Sequence, residues 1–296
     1  MSVPLFPLLL VVACSLGWAG FDLLRKLLLQ EVPPVALVFL LTTGSAPLFA
    51  AWMLAGGASS PAAGYWPPAL GSVLLNLFAN LFLLEGMRIV PLSVSVPLLS
   101  LTPVFAALLA IPMLGERPSL AATAGILLVI AGAIWLPWQP RAEAAAEAAT
   151  ADPERRRRLK GAVLVALTSM LWAMTIPLDK LAVARAPASL HGAVLNGGVA
   201  LGVLVVLLGQ RRLGEVARVR RIPGLFVLAL VVSCLALGLQ LLALPLVFVG
   251  TIETLKRGIG NFMALVSGRL FFGEMVTLPK VLALLLMALG VGLILT

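Results

Sequence analysis

An all-α integral membrane protein of ten transmembrane helices, arranged as two inverted five-helix repeats, is the fold class this sequence predicts. Three observations predict it. Of 296 residues, 61% are hydrophobic and 11% charged, with a mean hydropathy of +1.11, well outside the range of water-soluble domains. Apolar runs of about 20 residues, the length of a helix that crosses a bilayer, recur along the chain. Local patterns of the first half also return in the second at nearly constant spacing.

In chain order the apolar runs read as spans at Pro4–Leu29, Val35–Gly56, Pro68–Arg88, Leu92–Leu114, Leu120–Trp138, Lys160–Ala184, Leu190–Gly209, Gly224–Val247, Gly250–Phe272 and Leu278–Thr296. Met1–Gly20 is apolar, and Val11-Val12-Ala13-Cys14 loosely matches a lipoprotein processing box. No Lys or Arg precedes it and the run continues to Leu24, so it reads as a first membrane helix rather than a cleaved signal. Short links such as Glu31–Pro34 and Ile89–Pro91 make neighbouring helices antiparallel. The long polar stretch, Gln139–Arg158, carries an Ala/Glu tract and then Arg155 to Arg158, and reads as a solvated linker.

The chain therefore divides into a first five-helix repeat, 1–138, a polar linker, 139–159, and a second five-helix repeat, 160–296. Gly17-Trp18-Ala19 with Lys26 and Pro33 matches Leu171-Trp172-Ala173 with Lys180 and Pro187, each pair 154 positions apart. Leu114-Gly115-Glu116 with Gly132 matches Phe272-Gly273-Glu274 with Gly290 at a spacing of 158. An odd number of spans per repeat inserts the two copies with opposite topology, a plan that puts substrate near the midplane between them.

The Gly17-Trp18 opening, the pattern from Ser95 to Glu116, its counterpart ending in Phe272-Gly273-Glu274 and the two five-helix halves resemble the drug/metabolite transporter superfamily in its EamA-type branch. The resemblance covers nearly the whole chain. It implies a secondary carrier: exporters of amino acids and other metabolites resemble it, and more distant relatives exchange sugar phosphates or nucleotide sugars. The adjacent Lys256 and Arg257 look like the Lys-Arg pair with which phosphate-exchanging relatives hold the anionic end of their substrate.

Glu253, Lys256 and Arg257 form the densest charge cluster inside a predicted span, where charges are expensive unless they face protein or water. At i, i+3 and i+4 one carboxylate can partly neutralise two cations and leave about one positive charge for an anion. Glu253 is also the departure from the phosphate-exchanger pattern, since it opposes a dianion. The bland alternative is an internal ion network that ties helices together. Asn76 and Asn80 share a helix face and can line the cavity or bond between helices. Trp18 and Trp172, each beside hydroxyls at helical spacing, can wall a pocket or simply pack. Asp22 shares the face of Trp18. Asp179 and Lys180 read as an interfacial pair, with Lys180 alternatively helping to hold an anion. Glu274 and Glu116 read as structural, capping or pairing groups at the last link of each half. His191, the sole histidine, reads as a structural or interfacial group or a coupling group, Glu253 being the better carboxylate for a coupling proton.

Function classes are narrowed by what is missing. No GxxxxGK[ST] loop, HExxH, GxSxG or Cys/His dyad is present, so neither an ATP-driven pump nor an enzyme is read here, and no cofactor or metal is implied. Cys14 and Cys234 lie in apolar spans as packing residues. The net charge of +9 falls in short basic runs between spans, the signature of cytoplasmic loops rather than of a nucleic-acid surface. Counting those runs, with Arg25 and Lys26 among the cytoplasmic loop charges, puts both termini away from the cytoplasm. The expected partners are a small-molecule substrate and the lipid bilayer, with a coupling proton or an exchanged counter-substrate open, and the expected place is the inner membrane of a bacterial cell. A carrier of a small polar or anionic organic metabolite leads; an amino-acid or drug exporter, with Glu253 on an amine and Arg257 on a carboxylate, is the alternative.

Overall fold

The computed structural model describes residues 5–57, 60–105, 119–135, 152–247 and 249–294. Among the described residues the chain is helical with short links, and strands are absent. The helices are α1 (Leu5–Leu28), α2 (Pro34–Ala55), α3 (Trp66–Ile89), α4 (Leu92–Leu98), α5 (Leu120–Trp135), α6 (Asp152–Val183), α7 (Ala188–Gly209), α8 (Pro223–Ala243), α9 (Val249–Phe272) and α10 (Leu278–Ile294), with a 3-10 helix at Leu213–Arg221 between α7 and α8. Six described helices are long and apolar enough to cross a membrane, namely α1, α2, α3, α6, α7 and α8, and shorter apolar helices lie at Leu92–Phe105, Thr123–Gly132 and Leu278–Leu293. Leu5, Leu9, Leu201, Val205 and Leu289 all stand exposed on helix faces, as lipid-facing side chains do. α9 has a spanning length but carries Glu253, Lys256, Arg257 and Arg269.

Two expectations about helix extents change. The predicted fourth span is not one uninterrupted helix: α4 ends at Leu98, a turn covers Leu99 and Ser100, and helix resumes over 101–105. Pro97 and Pro103 withhold backbone donors there, and the turn closes instead through Leu99 N–H to Val96 O at 3.0 Å and Ser100 N–H to Pro97 O at 2.8 Å. Pro112, Leu114, Gly115, Glu116 and residues 139–151 of the linker lie outside the described residues. α6 begins at Asp152, inside the stretch read as linker, so Arg155 to Arg158 ride on an exposed helical extension in which Arg158 meets Glu154 at 3.2 Å.

Helices of the two halves interleave. α1 packs along α8 and α9, and α6 packs along α3 and α4, while α2, α4 and α5 lie against α7, α9 and α10 respectively. Close approaches are made at glycines, which let backbones close without a side chain between them. A Cβ on Gly132 would stand 3.0 Å from Ala283 O and 2.5 Å from Met287 Cγ; one on Gly290 would stand 2.7 Å from both Gly125 O and Val129 Cγ2. Gly132, Gly125 and Val129 are the residues 158 positions before Gly290, Ala283 and Met287, so each glycine meets the counterparts of what the other meets. We expect Gly290→Leu to destabilise the protein by about 1–3 kcal/mol, because carbonyl and β-branched atoms there have no room to retreat. The melting temperature of the detergent-purified protein checks this, and an unchanged value would mean the α5/α10 seam is loose.

Helix ends are tied by charged side chains. Lys26 donates to the carbonyls of Met87 and Val90 at the end of α3, the latter at 2.6 Å, and Lys180 donates to Val247 O at 3.3 Å beyond the end of α8. Such lysines satisfy carbonyls that lack helical partners. Lys180 is therefore not engaged with its neighbour Asp179. Glu274 accepts from Leu92 N–H at 2.8 Å, Ser93 N–H at 3.1 Å and the Ser93 hydroxyl. It caps the start of α4 in the other half, where a carboxylate also meets the positive end of the helix, rather than capping its own link.

Candidate functional site

The interleaving leaves a cavity at the centre, offering about 120 Å³ to the centres of water-sized molecules. Its walls come from α1, α2, α3, α4, α6, α7, α8 and α9, so both halves contribute, while α5 and α10 stand aside against one another. Of the sequence-predicted site residues, Trp18, Asn76, Asn80, Trp172, Lys256 and Arg257 line it. Glu253 is not among the lining residues and sits behind the two cations as their counter-ion.

The α9 cluster has the geometry its spacing implies. One Glu253 oxygen receives Lys256 Nζ at 2.8 Å and the other Arg257 Nη2 at 3.2 Å, with Glu253 4% exposed and Arg257 6% exposed. Lys256 also donates to Gln240 Oε1 on α8 at 3.0 Å and stands 5.5 Å from the Trp18 ring on α1, so a single ammonium touches three helices. Arg257 keeps its Nε buried without a hydrogen-bond partner. The Trp18 Nε1–H meets no nitrogen or oxygen acceptor. A buried donor left open, as Arg257 Nε is, costs free energy unless a bound group uses it.

On the opposite wall the amides are mostly committed within the protein. Asn76 Oδ1 accepts from Trp172 Nε1 at 3.2 Å, joining α3 to α6, and Asn76 Nδ2 donates to the backbone and hydroxyl of Ser72, both at 3.1 Å. Asn80 Nδ2 donates to Asn76 O at 2.8 Å. The bond from its Nε1 to Asn76 fixes Trp172, which also lines the cavity.

Three further groups emerge that the sequence reading placed elsewhere. Arg25, counted there among cytoplasmic loop charges, is buried and pairs with Asp22 at 3.0 Å while stacking on Phe21 at 3.9 Å and lying 5.5 Å from the Trp18 ring. Its signal was available: Asp22 and Arg25 stand at i and i+3, as Glu253 and Lys256 do. Asp179 also lines the cavity, bonded to the Ser72 hydroxyl and 3.0 Å from His191 Nε2. His191 is fully buried rather than interfacial. Glu85 and Arg88, by contrast, form an exposed pair at 2.7 Å near the end of α3, away from the cavity.

Residues 5–137 match the EamA-like transporter family, which lies in the drug/metabolite transporter superfamily; it is a family of transporters and not of enzymes. No curated protein matches the sequence. A solved structure titled only as the crystal structure of a protein aligns with a TM-score of 0.59 at 17% identity, covering 95% of this chain and 95% of its own. At that identity the likeness is one of fold, and it runs through nearly the whole chain.

Proposed function

We propose that this EamA-family chain is a secondary carrier for a small polar or anionic organic metabolite, working by alternating access around a central site between two inverted five-helix repeats. The observation that carries the reading is the central cavity itself: walled by both halves, it presents two cations, the part-buried Lys256 and the buried Arg257, that share one counter-ion. Exchange of the two halves maps the main helix pairs onto one another, and the reciprocal contacts of Gly132 and Gly290 have the same symmetry; both support the inverted repeat. In such a plan a rocking motion exposes one fixed site to either side. Lys256 supplies a point charge and Arg257 a planar donor fork with an open Nε for carboxylate or phosphate oxygens. Trp18 and Trp172 supply flat walls for the organic part.

The alternative, a zwitterionic or cationic substrate exported by a carrier of the same family, draws support from Asp22 and Asp179, which bring carboxylates to the same cavity. An amine has acceptors there, whereas a dianion meets Glu253 behind its cations. The basic residues gather at one end, with Arg88, the α6 extension and Arg211 to Arg221, which supports a cytoplasmic placement of that end in a bacterial inner membrane and both termini on the other side.

A thermal-stability screen of purified protein with glycerol 3-phosphate, succinate, threonine and a quaternary amphiphile separates these readings. A ligand at 100 times its Kd stabilises the folded state by about 2.7 kcal/mol. The expected result is stabilisation by an anion, lost in both Lys256→Ala and Arg257→Ala. Stabilisation by threonine or the amphiphile, unchanged in those variants, would return the pair to a structural role and favour the exporter.

A further inference from the structure

Three buried carboxylates stand at or beside the cavity, and they are balanced differently. Glu253 faces Lys256 and Arg257, and Asp22 faces Arg25, so each has a permanent cation. Asp179 has none. Its partners are the Ser72 hydroxyl and His191 Nε2 at 3.0 Å, while Lys180 is turned to Val247 O. Behind it the His191 Nδ1 lies 3.2 Å from the Tyr65 hydroxyl, and both His191 and Tyr65 are 0% exposed.

The bonding order follows from what each atom can do. An ionised Asp179 only accepts, so Nε2 carries a hydrogen toward it, and Nδ1 of the neutral ring accepts from Tyr65. Burial, and then the Asp179 charge, raises the Tyr65 phenol above its ordinary value, which keeps that hydrogen in place. The network in this form carries one buried negative charge with no fixed counter-ion.

We propose that the Asp179–His191 pair is a proton-binding site of the transport cavity, taking one proton from it and returning one to it as the carrier changes face. The inference rests on the carrier reading above. No bond forms or breaks except that to the proton, which belongs to the pair rather than to either residue, and the pair passes from one negative charge to neutrality. Among the described residues, the other ionic groups that line the cavity or pair with those that do are Asp22 and Arg25 on α1 and Glu253, Lys256 and Arg257 on α9, three cations against two carboxylates, with Lys180 turned to Val247 O. With Asp179 ionised the whole set is neutral. With the pair protonated it is left with one positive charge, so proton and anion enter favourably together, and proton and cation exclude one another.

Because His191 is the sole histidine, its ring can be read directly in the full chain. Protein labelled with nitrogen-15 histidine in phosphatidylethanolamine/phosphatidylglycerol nanodiscs is expected to give a neutral-ring signal in alkaline buffer and an imidazolium or shared-proton signal in acid buffer. The same protein in liposomes of that composition, on a solid-supported membrane, is expected to give a transient displacement current on a pH jump without added solute. That current should fall about tenfold or more in Asp179→Asn and His191→Gln and persist in Glu85→Gln. A ring signal that never changes, a ring that titrates with no current in the wild type, or an undiminished current in Asp179→Asn would each overturn the proposal. Both wild-type readouts decide it even where a variant fails to fold. Solute flux in the same liposomes without a displacement current would sink the proton site and leave the carrier reading standing.

Discussion

Glu253→Ala is expected to cost about 3–5 kcal/mol of stability, because it strands two cations in a site where Arg257 is 6% exposed. For a chain of this size that corresponds to a fall in melting temperature on the order of 10 °C. Among the described residues Glu253 is the one carboxylate in ion-pair contact with both side chains, at 2.8 Å and 3.2 Å, and the Gln240 amide that also holds Lys256 has no charge to offer. Exposed helical pairs at the same spacings contribute a few tenths of a kcal/mol, so burial sets the size of the effect.

The triple variant Glu253→Leu, Lys256→Met, Arg257→Met separates the structural role of the cluster from its proposed role toward substrate. Replacing a whole buried ion network with apolar side chains is often neutral or stabilising, whereas removing one member is costly. The triple variant is therefore expected to regain most of the stability lost in Glu253→Ala while losing stabilisation by anions. Melting curves with and without glycerol 3-phosphate check both parts. A Glu253→Ala protein melting within about 2 °C of the wild type would show that water reaches the cations freely.

Much of the helical layout was legible because bilayer spans are written in long apolar runs, and the predicted starts of the second, fifth and last spans fall within a residue of the helices observed. The α9 cluster was legible because i, i+3 and i+4 fix its pairing on a helix. The break in α4 was foreshadowed by Pro97 and Pro103, but proline alone does not distinguish a kink from an interruption. Asp179 was misread because it adjoins Lys180. Successive helical residues point about 100° apart, so the two side chains diverge, one to His191 and the other to the end of α8. Arg25 was misread because a charge near a span end looks like a loop residue; what turns it inward is the aromatic and acidic face of its own helix, Trp18, Phe21 and Asp22.

That face makes Arg25→Met the second large effect. Asp22 and Arg25 are 8% and 4% exposed, and removal of the guanidinium leaves the carboxylate in a wall of Trp18 and Phe21, at an expected cost of about 3–5 kcal/mol. Arg25→Lys should be intermediate, since it keeps the charge but gives up the planar stack at 3.9 Å from Phe21, worth about 2 kcal/mol when desolvated. The double variant Asp22→Asn, Arg25→Met removes both charges and should lose less than its single changes added together, with a coupling of about 0.5–3 kcal/mol. Thermal melting of the four proteins yields the cycle. Additive losses would place Asp22 and Arg25 in separate solvated environments, which would remove α1 from the electrostatics of the cavity and leave Lys256 and Arg257 as its main source of positive charge.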